Sequence, residues 1–123
     1  DESYRDCIYD FSEEGDINNL FYVTDILITD FSSNIYEFSL QGKPIIFYAP
    51  DKDYYQLTRG VHRGLDEAPG TVCVTFNEVV EAIKGGKFEK EKLDKFIRES
   101  FDAHSEYASD LLIDRIILGQ GEE

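Results

Sequence analysis

The chain has 123 residues, 41% of them hydrophobic and 14% aromatic, so it is long enough to bury one core and has the size of a single domain. Twenty-six Asp and Glu against twelve Lys and Arg give a formal charge of -14, with the acids spread along the whole sequence. This charge excludes a general nucleic-acid or anionic-lipid surface. No signal peptide and no membrane-spanning run is visible. The chain contains no Met, even at position 1, which indicates a piece of a longer protein.

The N-terminal part of the chain is predicted to form a strand, a turn and a short helix. Residues 6–11 predict the strand, and the polar residues 12–15 predict the turn. Asp16 or Asn18 is expected to cap the helix, because both side chains accept hydrogen bonds from backbone N–H groups at a helix start.

The most informative stretch runs from a second strand into a polar turn and a second helix. Residues 26–29 are apolar on both faces, as in the middle of a parallel sheet that helices cover on each side. The helix is predicted to begin at Ser32 or Ser33. Asn34 and Glu37 stand three residues apart, which is the spacing of a capping box.

The interior and the end of this helix are predicted from apolar spacing and from a glycine. Ile35, Phe38 and Leu40 supply its buried side. Gly42 suits the left-handed residue that ends a helix. Pro44 opens the next strand, where the missing N–H of proline does little harm.

The second half of the chain begins with a long loop over 51–70, and loops of this length in small domains tend to carry sites. A short strand over 71–74 and a helix over about 76–84 follow. Apolar residues at helical spacing beyond position 90 predict further helices that dock on the rest of the domain. We therefore divide the chain into an α/β core, docking helices and a frayed tail, at 1–90, 91–118 and 119–123.

The alternation of strands and helices predicts an α/β fold, with a Rossmann-like, mostly parallel sheet and helices on both faces. In such sheets ligands bind beyond the carboxyl ends of the strands. The turn at 30–33, the loop at 50–70 and the turn at 66–70 are all expected at that edge.

The turn at 30–33 has the chemistry of an anion site. Ser32 and Ser33 offer hydroxyls and backbone N–H groups to a diphosphate at a helix start, where N–H groups lack partners and the helix dipole is positive. The alternative is that one serine merely caps the helix, and both roles can coexist. Asp30 is predicted to orient the turn by accepting backbone N–H bonds, without touching phosphate.

The remaining candidate residues are a cation and two thiols. Arg59 is the preferred charge partner of the diphosphate, because a guanidinium binds phosphate oxygens bidentately; the alternative is an ordinary surface arginine. Cys7 and Cys73 lie in short apolar runs without metal-ligand spacing, which predicts two reduced thiols in or near the core. The acidic residues form no recognisable ligand cluster, so we expect neither a metal nor a cofactor.

A set of short segments occurs in the same order as in one known family: 29–33 (Thr-Asp-Phe-Ser-Ser), 42–47 (Gly-Lys-Pro-Ile-Ile-Phe), 59–60 (Arg-Gly) and 67–70 (Glu-Ala-Pro-Gly), the last before a Glu-Val-Val-x-Ala-Ile helix. Over nearly its whole length the chain resembles the C-terminal part of the CDP-glycerol glycerophosphotransferases, the teichoic-acid primases and polymerases. The resemblance implies a two-lobed glycosyltransferase-B architecture, in which this chain is most of the C-terminal, nucleotide-binding lobe.

The reaction that the resemblance implies moves glycerol phosphate from CDP-glycerol to a growing wall polymer and releases CMP. The implied partners are CDP-glycerol and a teichoic-acid or lipid-linked polymer acceptor, which a part outside this chain would hold. The implied location is the inner face of a bacterial cell membrane, which the parent enzyme would contact only through that other part. No nucleic-acid partner is expected.

The resemblance also implies roles for individual residues. Glu37 would accept both ribose hydroxyls, as a carboxylate in the equivalent place does in many glycosyltransferases of this architecture; the alternatives are a capping-box partner of Asn34 and a solvated helix residue. The implied substrate-binding residues are Asp30, Ser32, Ser33, Glu37, Arg59 and Gly60.

The histidines of this chain fit a catalytic role poorly, although imidazole titrates near neutrality. In the family, the histidines that matter for catalysis lie in His-Gly-Thr and His-Pro segments upstream of the matched region, and neither segment occurs here. We assign no catalytic residue: His62 stays a weak candidate in the long loop, and His104 is interpreted as a surface residue. The run after Gly60 also departs from the family's Phe-Tyr-Phe pattern. We expect the chain alone to bind nucleotide weakly and to turn over nothing.

Other interpretations stay open. A nucleotide-sugar glycosyltransferase of the same two-lobed fold, using a UDP- or GDP-sugar, would share the phosphate site, and so would a related polyol-phosphate or capsule transferase. A non-catalytic α/β interaction module, such as a response-regulator receiver, fits the size and the acidity. This chain lacks the acidic pair after the first strand and the late Lys that a receiver would have.

Overall fold

The computed structural model describes residues 2–30, 32–51, 67–101 and 107–119. Helices and strands alternate along most of the chain, and none of the helices described is long and apolar enough to cross a membrane. In chain order the elements are a 3-10 turn Glu2–Tyr4, α1 Ile17–Val23, β1 Leu27–Thr29, α2 Asn34–Ser39, β2 Ile45–Tyr48, β3 Thr71–Cys73, α3 Phe76–Gly85, α4 Lys90–Ser100, α5 Ala108–Leu112 and a π-helical turn Ile113–Ile117. The fold is α/β, as the alternation predicted.

The sheet has three parallel strands in the order β1-β2-β3. Ile28 lies opposite Ile46, and Phe47 lies opposite Val72. The middle strand is β2, whose first three residues are at most 1% exposed. The prediction that 26–29 is a middle strand is wrong for the described residues, because β1 pairs there with β2 alone and Ile28 is 48% exposed. An apolar run on both faces indicates helices above and below a strand, but it does not indicate how many neighbours the strand has.

Helices cover both faces of this sheet, as predicted. On one face Phe21 of α1, Phe38 of α2 and Leu93 of α4 pack over Ile45 and Phe47. The rings of Phe21 and Phe38 meet edge to face, with centroids 5.3 Å apart. This buried cluster thus anchors α2, and with it the turn that precedes α2, to the middle strand.

On the opposite face, α3 supplies the cover. Val79 of α3 packs with Ile46 of β2 and Cys73 of β3, and all three side chains are buried. Since adjacent residues of a strand point to opposite faces, β2 serves both clusters with successive side chains.

The amino edge of the sheet is held by close backbone packing. A Cβ atom on Gly70 would lie 2.2 Å from the carbonyl oxygen of Ile45, so only glycine fits there. Lys43 Nζ donates to the carbonyl oxygens of Phe21 and Tyr22, at 3.1 and 3.0 Å, and so joins the end of α1 to the start of β2. The prediction that residues 66–70 lie at the carboxyl edge is wrong for 67–70, because they directly precede β3 and therefore lie at its amino end.

Two predictions for the N-terminal part and one for α2 are also wrong. Residues 6–11 form no strand and are exposed, because no neighbouring strand takes up their N–H groups in the described chain. Cys7 is exposed there, whereas Cys73 is buried as predicted. Leu40 is 56% exposed, since α2 ends at Ser39, and Ile35 and Phe38 are the apolar residues of α2 in the core cluster. Gly42 has φ of 65°, the left-handed conformation predicted for it.

The two C-terminal helices differ in how they pack. Leu93 and Phe96 of α4 are buried, which confirms its predicted docking on the core. Tyr36 of α2 contacts Phe96, with ring centroids 5.1 Å apart. Apart from Leu111, which is partly buried, the large side chains of α5 and the π-helical turn are exposed instead. No other described helix or strand packs extensively on that segment.

Candidate nucleotide-binding site

Three polar segments follow the carboxyl ends of the three strands. Asp30 follows β1, Asp51 follows β2 after two intervening residues, and Thr75 follows β3. Because the strands are parallel, these segments lie at one edge of the sheet, where ligands bind in folds of this kind. The turn at Asp30 is therefore placed as the sequence predicted.

The turn after β1 is held in shape by Asp30. Its Oδ1 accepts the backbone N–H of Ser32 at 3.0 Å, the local hydrogen bond of an Asx turn. The carboxylate thus orients the turn through the backbone, as we expected from the sequence. Phe31 lies outside the described residues.

Ser33 occupies the N-cap position of α2 but does not cap it. Its backbone is helical, with φ -64° and ψ -14°, where a capping residue is normally extended, and its side chain makes no capping hydrogen bond. The side chain is exposed. Of the two roles that the sequence left open for this serine, capping is therefore not the one observed.

The backbone around Ser33 is only partly satisfied. The carbonyl oxygens of Ser32 and Ser33 accept the N–H groups of Ile35 and Tyr36, at 3.5 and 3.1 Å. Within the described chain no hydrogen bond engages the N–H groups of Ser33 or Asn34. Within the described chain, this turn therefore has two backbone donors and an exposed hydroxyl that no cap or ladder hydrogen bond uses.

The predicted capping box between Asn34 and Glu37 is wrong. Asn34 is the first helical residue, so the N-cap is Ser33 and Glu37 stands four positions after it instead of three. Glu37 is exposed on the first turn of α2. Because α2 has only six residues, its dipole is weak.

The second helix start at this edge, that of α3, is closed by its own side chains. Thr75 Oγ1 accepts the N–H of Glu78 at 3.3 Å. The Glu78 carboxylate accepts the N–H groups of Val74 and Thr75, at 2.6 and 3.3 Å. This capping box was not predicted, although its signal, Thr-x-x-Glu before an apolar run, is present at 75–78.

Cys73 lies just before this closed start. Burial raises the pKa of its thiol, and the nearby negative charge of Glu78 raises it further. The thiol is therefore neutral near pH 7 and a poor nucleophile.

The described part of the chain brings together four of the predicted site residues: Asp30, Ser32 and Ser33 on the turn and Glu37 on the helix that follows. Arg59, Gly60 and His62 lie outside the described residues. No group of three or more His, Cys, Asp or Glu in the described ranges is placed to hold a metal ion.

A cavity of about 240 Å³ lies at the opposite, amino edge of the sheet. Gly42, Pro44, Gly70, Phe88 and Leu93 are among its lining residues. The cavity is mostly apolar and lies at the other end of the strands from the turn at Asp30. We therefore do not assign it to the nucleotide.

Comparison with known proteins gives the chain a family. A model of the family described as CDP-Glycerol:Poly(glycerophosphate) glycerophosphotransferase matches residues 1–118. The teichoic acid poly(ribitol-phosphate) polymerase of Bacillus spizizenii is 39% identical over 121 residues, which are 98% of this chain and 20% of that protein. The teichoic acid poly(glycerol phosphate) polymerase of the same species is 39% identical over 101 residues, which are 80% of this chain and 25% of that protein.

A solved structure agrees with these relatives. The wall teichoic acid polymerase TagF matches this fold with a TM-score of 0.73 at 26% identity, over 98% of this chain and 32% of that one. A TagF variant with one histidine replaced, soaked with CDPG, matches with a TM-score of 0.70 at 25% identity. The chain spans about a fifth to a quarter of the length of the two curated relatives. Because the match to the family model takes in nearly every residue, the chain belongs to the CDP-Glycerol:Poly(glycerophosphate) glycerophosphotransferase family.

Proposed function

We propose that this chain is the donor-nucleotide-binding part of a longer, two-lobed enzyme of the glycosyltransferase-B architecture. That enzyme transfers glycerol phosphate from CDP-glycerol to a teichoic-acid-type polymer and releases CMP. The observation that carries the proposal is the open turn at 30–33, whose shape Asp30 maintains while Ser33 leaves its hydroxyl uncapped. The similarity to TagF, one of whose structures was soaked with CDPG, supports a nucleotide donor.

In this proposal the turn binds the diphosphate of the donor. The hydroxyls of Ser32 and Ser33 and the free backbone N–H groups donate to phosphate oxygens, which are strong acceptors because they are charged. Asp30 is a positioning residue, since its carboxylate is already engaged by Ser32 and would repel phosphate. Glu37, exposed one turn into α2, accepts the ribose hydroxyls.

Positive charge has to come from elsewhere in the chain, because the net charge of -14 repels an anionic donor at long range. Arg59, next to Gly60, is the cation that we assign to the diphosphate. This assignment rests on the sequence alone.

The chemistry is a phosphoryl transfer. A hydroxyl of the acceptor attacks the phosphorus that carries glycerol, the bond from that phosphorus to the bridging oxygen breaks, and CMP leaves with the bonding electrons. The proton of the attacking hydroxyl passes to a base outside this chain. The residues described here stabilise the negative charge that develops on the leaving phosphate, a contribution that depends on donors fixed in advance.

A second donor is favoured by a specific observation. Several relatives, including one at 39% identity over 98% of this chain, are ribitol-phosphate polymerases. A CDP-activated ribitol phosphate would present the same diphosphate and cytidine to the turn. The two donors differ only in the polyol, which the other lobe would contact.

We place the longer enzyme at the inner face of a bacterial cell membrane, with the membrane and the polymer acceptor held by the part outside this chain. The acidic composition of the chain supports this arrangement, because a net charge of -14 disfavours contact with anionic lipid.

Titration calorimetry of the chain with CDP-glycerol, a CDP-ribitol donor, UDP-sugars and GDP-sugars tests the proposal. We expect millimolar binding of both CDP donors, weaker binding of the others, and no turnover of any. Arg59→Ala should weaken binding about tenfold or more, because a charge-assisted contact contributes about 1.5–3 kcal/mol. Arg98→Ala, an exposed arginine of α4, is the matched control and should change nothing. Absence of binding at millimolar CDP-glycerol would refute the assignment.

A further inference from the structure

The lysines of this chain are concentrated in one short stretch. Five of the seven lysines lie within residues 84–95: Lys84, Lys87, Lys90, Lys92 and Lys95. We call these five residues the lysine strip. The same stretch contains three acids, so its net charge is +2, whereas the whole chain has a formal charge of -14. A local charge of opposite sign to the rest of the chain indicates a surface for an anionic partner.

The lysine strip follows α4 from one edge of the sheet towards the other. Lys90, the first residue of α4, lines the cavity at the amino edge. Phe96, farther along α4, contacts Tyr36 in the first turn of α2, and α2 begins at the carboxyl edge. Lys92 and Lys95 therefore lie between the amino edge and the level at which α2 begins, just after the open turn at 30–33.

The lysines of the strip are available to a partner. Three of them form ion pairs within about one helical turn, at N–O distances of 3.4, 3.8 and 3.7 Å: Lys84 with Glu81, Lys92 with Glu89, and Lys95 with Glu99. The three lysine side chains are between 43% and 69% exposed. Exposed pairs of this kind contribute little free energy, so a phosphate can replace the carboxylate. Within the described residues, no ion pair engages Lys87 or Lys90.

We propose that the lysine strip binds the phosphodiester backbone of the growing polymer, behind the end that reacts. The proposal rests on the proposed function, in which the product is a chain of polyol phosphates with a negative charge on each unit. The part outside this chain holds the reacting end, and the units already added pass along α4 towards the amino edge. A lysine side chain suits this role, because its ammonium is a point charge on a flexible stem and does not demand one phosphate geometry. Several weak contacts keep the polymer at a high effective concentration near the site between additions.

An anionic bilayer surface fits the strip less well. A helix that lies on a membrane inserts apolar side chains into it, but Leu93 and Phe96 of α4 are buried in this chain and Ile97 packs against the same core. Glu91 and Asp94 also stand among the lysines of α4. A flat anionic surface would meet these two acids together with the lysines, whereas a flexible polymer can pass from lysine to lysine.

Nucleic acid also fits less well. Proteins that bind single strands combine cations with aromatic side chains on which the bases stack. The aromatic residue of α4, Phe96, is only 3% exposed. The strip therefore offers contacts to a phosphate backbone and none to a base.

Fluorescence anisotropy of an end-labelled, purified poly(ribitol phosphate) with this chain tests the proposal. We expect binding at low salt that weakens linearly with the logarithm of the salt concentration, because the lysines displace counterions from the polymer. Lys92→Gln with Lys95→Gln should weaken binding about fivefold to tenfold. The same double change should reduce the slope of the salt dependence by about 1 to 1.5. Unchanged binding in the double variant would overturn the proposal.

Two substitutions of acids show whether the effect is local. Glu91→Gln removes a negative charge among the lysines of α4 and should strengthen polymer binding about twofold. Glu13→Gln makes the same change to the net charge in the exposed N-terminal turn and should leave binding unchanged. Equal strengthening by the two would mean that binding follows the overall charge of the chain, which would overturn the assignment to the strip.

Vesicles and DNA separate the other partners. Vesicles of phosphatidylglycerol and phosphatidylcholine should leave the chain in the supernatant, and single-stranded DNA with the same number of phosphates should bind no more tightly than the polymer. Sedimentation with the vesicles, or tighter binding of the DNA, would overturn the proposal in favour of a membrane or a nucleic acid. CDP-glycerol binding by the unsubstituted chain is measured separately. Polymer binding without CDP-glycerol binding would refute the nucleotide site and leave the strip intact, and the reverse result would refute the strip alone.

Discussion

Two helices start at the carboxyl edge of the same sheet, and they treat their free backbone donors in opposite ways. At α3, Thr75 and Glu78 form a complete capping box, and the carboxylate takes up two N–H groups. At α2, the N-cap Ser33 makes no side-chain cap, and the carboxylate of Asp30 accepts the N–H of Ser32, a residue ahead of the helix. One start is closed by its own side chains, and the other keeps its donors open.

The difference shows where an anion can bind. A phosphate at the start of α3 would have to displace a carboxylate that is already hydrogen-bonded, and that carboxylate would repel it. A phosphate at the start of α2 would accept from unpaired N–H groups and hydroxyls. A ligand without acceptors would cover the same donors without replacing their hydrogen bonds to water, which is unfavourable. In our proposal, similar sequence patterns, a polar residue before a helix with Glu in its first turn, serve stability at α3 and binding at α2.

The largest effect that we expect comes from removing both hydroxyls of the open start. Ser32→Ala with Ser33→Ala should weaken CDP-glycerol binding at least about 100-fold, because each of the two hydrogen bonds to a charged group contributes about 1.5–3 kcal/mol. The unfolding free energy should stay within about 0.5 kcal/mol, since neither side chain caps the helix. Calorimetry and denaturant unfolding measure the two quantities, and Ser109→Ala on α5 is the control. A loss of stability without a loss of binding would mean that the serines are structural.

The next prediction concerns a carboxylate that is introduced into α2 to cap its open start. At α3, the capping-box residue Glu78 stands three positions after the N-cap Thr75. Tyr36 stands three positions after the N-cap of α2, so Tyr36→Glu would build a capping box there. We expect Tyr36→Glu to weaken nucleotide binding about tenfold more than Tyr36→Gln, because only the charged side chain repels the diphosphate. Both variants lose the contact of Tyr36 with Phe96 to the same extent, so their difference isolates the charge. Equal binding by the two would count against phosphate at this turn.

A smaller effect is expected from opening the closed start. Thr75→Ala should lower the unfolding free energy by about 1 kcal/mol, the usual contribution of an N-cap, and Glu78→Ala by a similar amount. Nucleotide binding should not change in either variant. Urea unfolding measures the first quantity and calorimetry the second. Weakened CDP-glycerol binding in Thr75→Ala would show that the start of α3 belongs to the site after all.

The sequence predicted the sheet, the two-sided cover and the position of the turn, because these follow from apolar periodicity and from the edge at which parallel strands end. It did not predict that Ser33 has a helical backbone or that Asn34 is already the first residue of α2. The exact residue at which α2 begins depends on how the helix packs on the core through Phe38. It also misplaced 67–70 at the carboxyl edge, where the order of elements alone would have given the amino edge. Residues 6–11 are exposed because no described strand pairs with them, and the local sequence does not reveal the lack of a pairing strand.

The smallest effect concerns Cys73, beside the closed start. Burial raises the pKa of its thiol in the folded chain, so on raising the pH the unfolded chain loses this proton first. The stability that the neutral thiol contributes is therefore fully present below the ordinary thiol value of 9.0 and is lost as the pH rises through the folded-state pKa. Urea unfolding measures the free energy of unfolding between about pH 8 and pH 10. This free energy should fall more steeply with pH in Cys7→Ser than in Cys7→Ser with Cys73→Ala. The charge of Glu78 is the second cause of the raised pKa, so Glu78→Gln should make the fall in unfolding free energy with pH shallower. An unchanged slope would show that the Glu78 carboxylate does not act on the thiol.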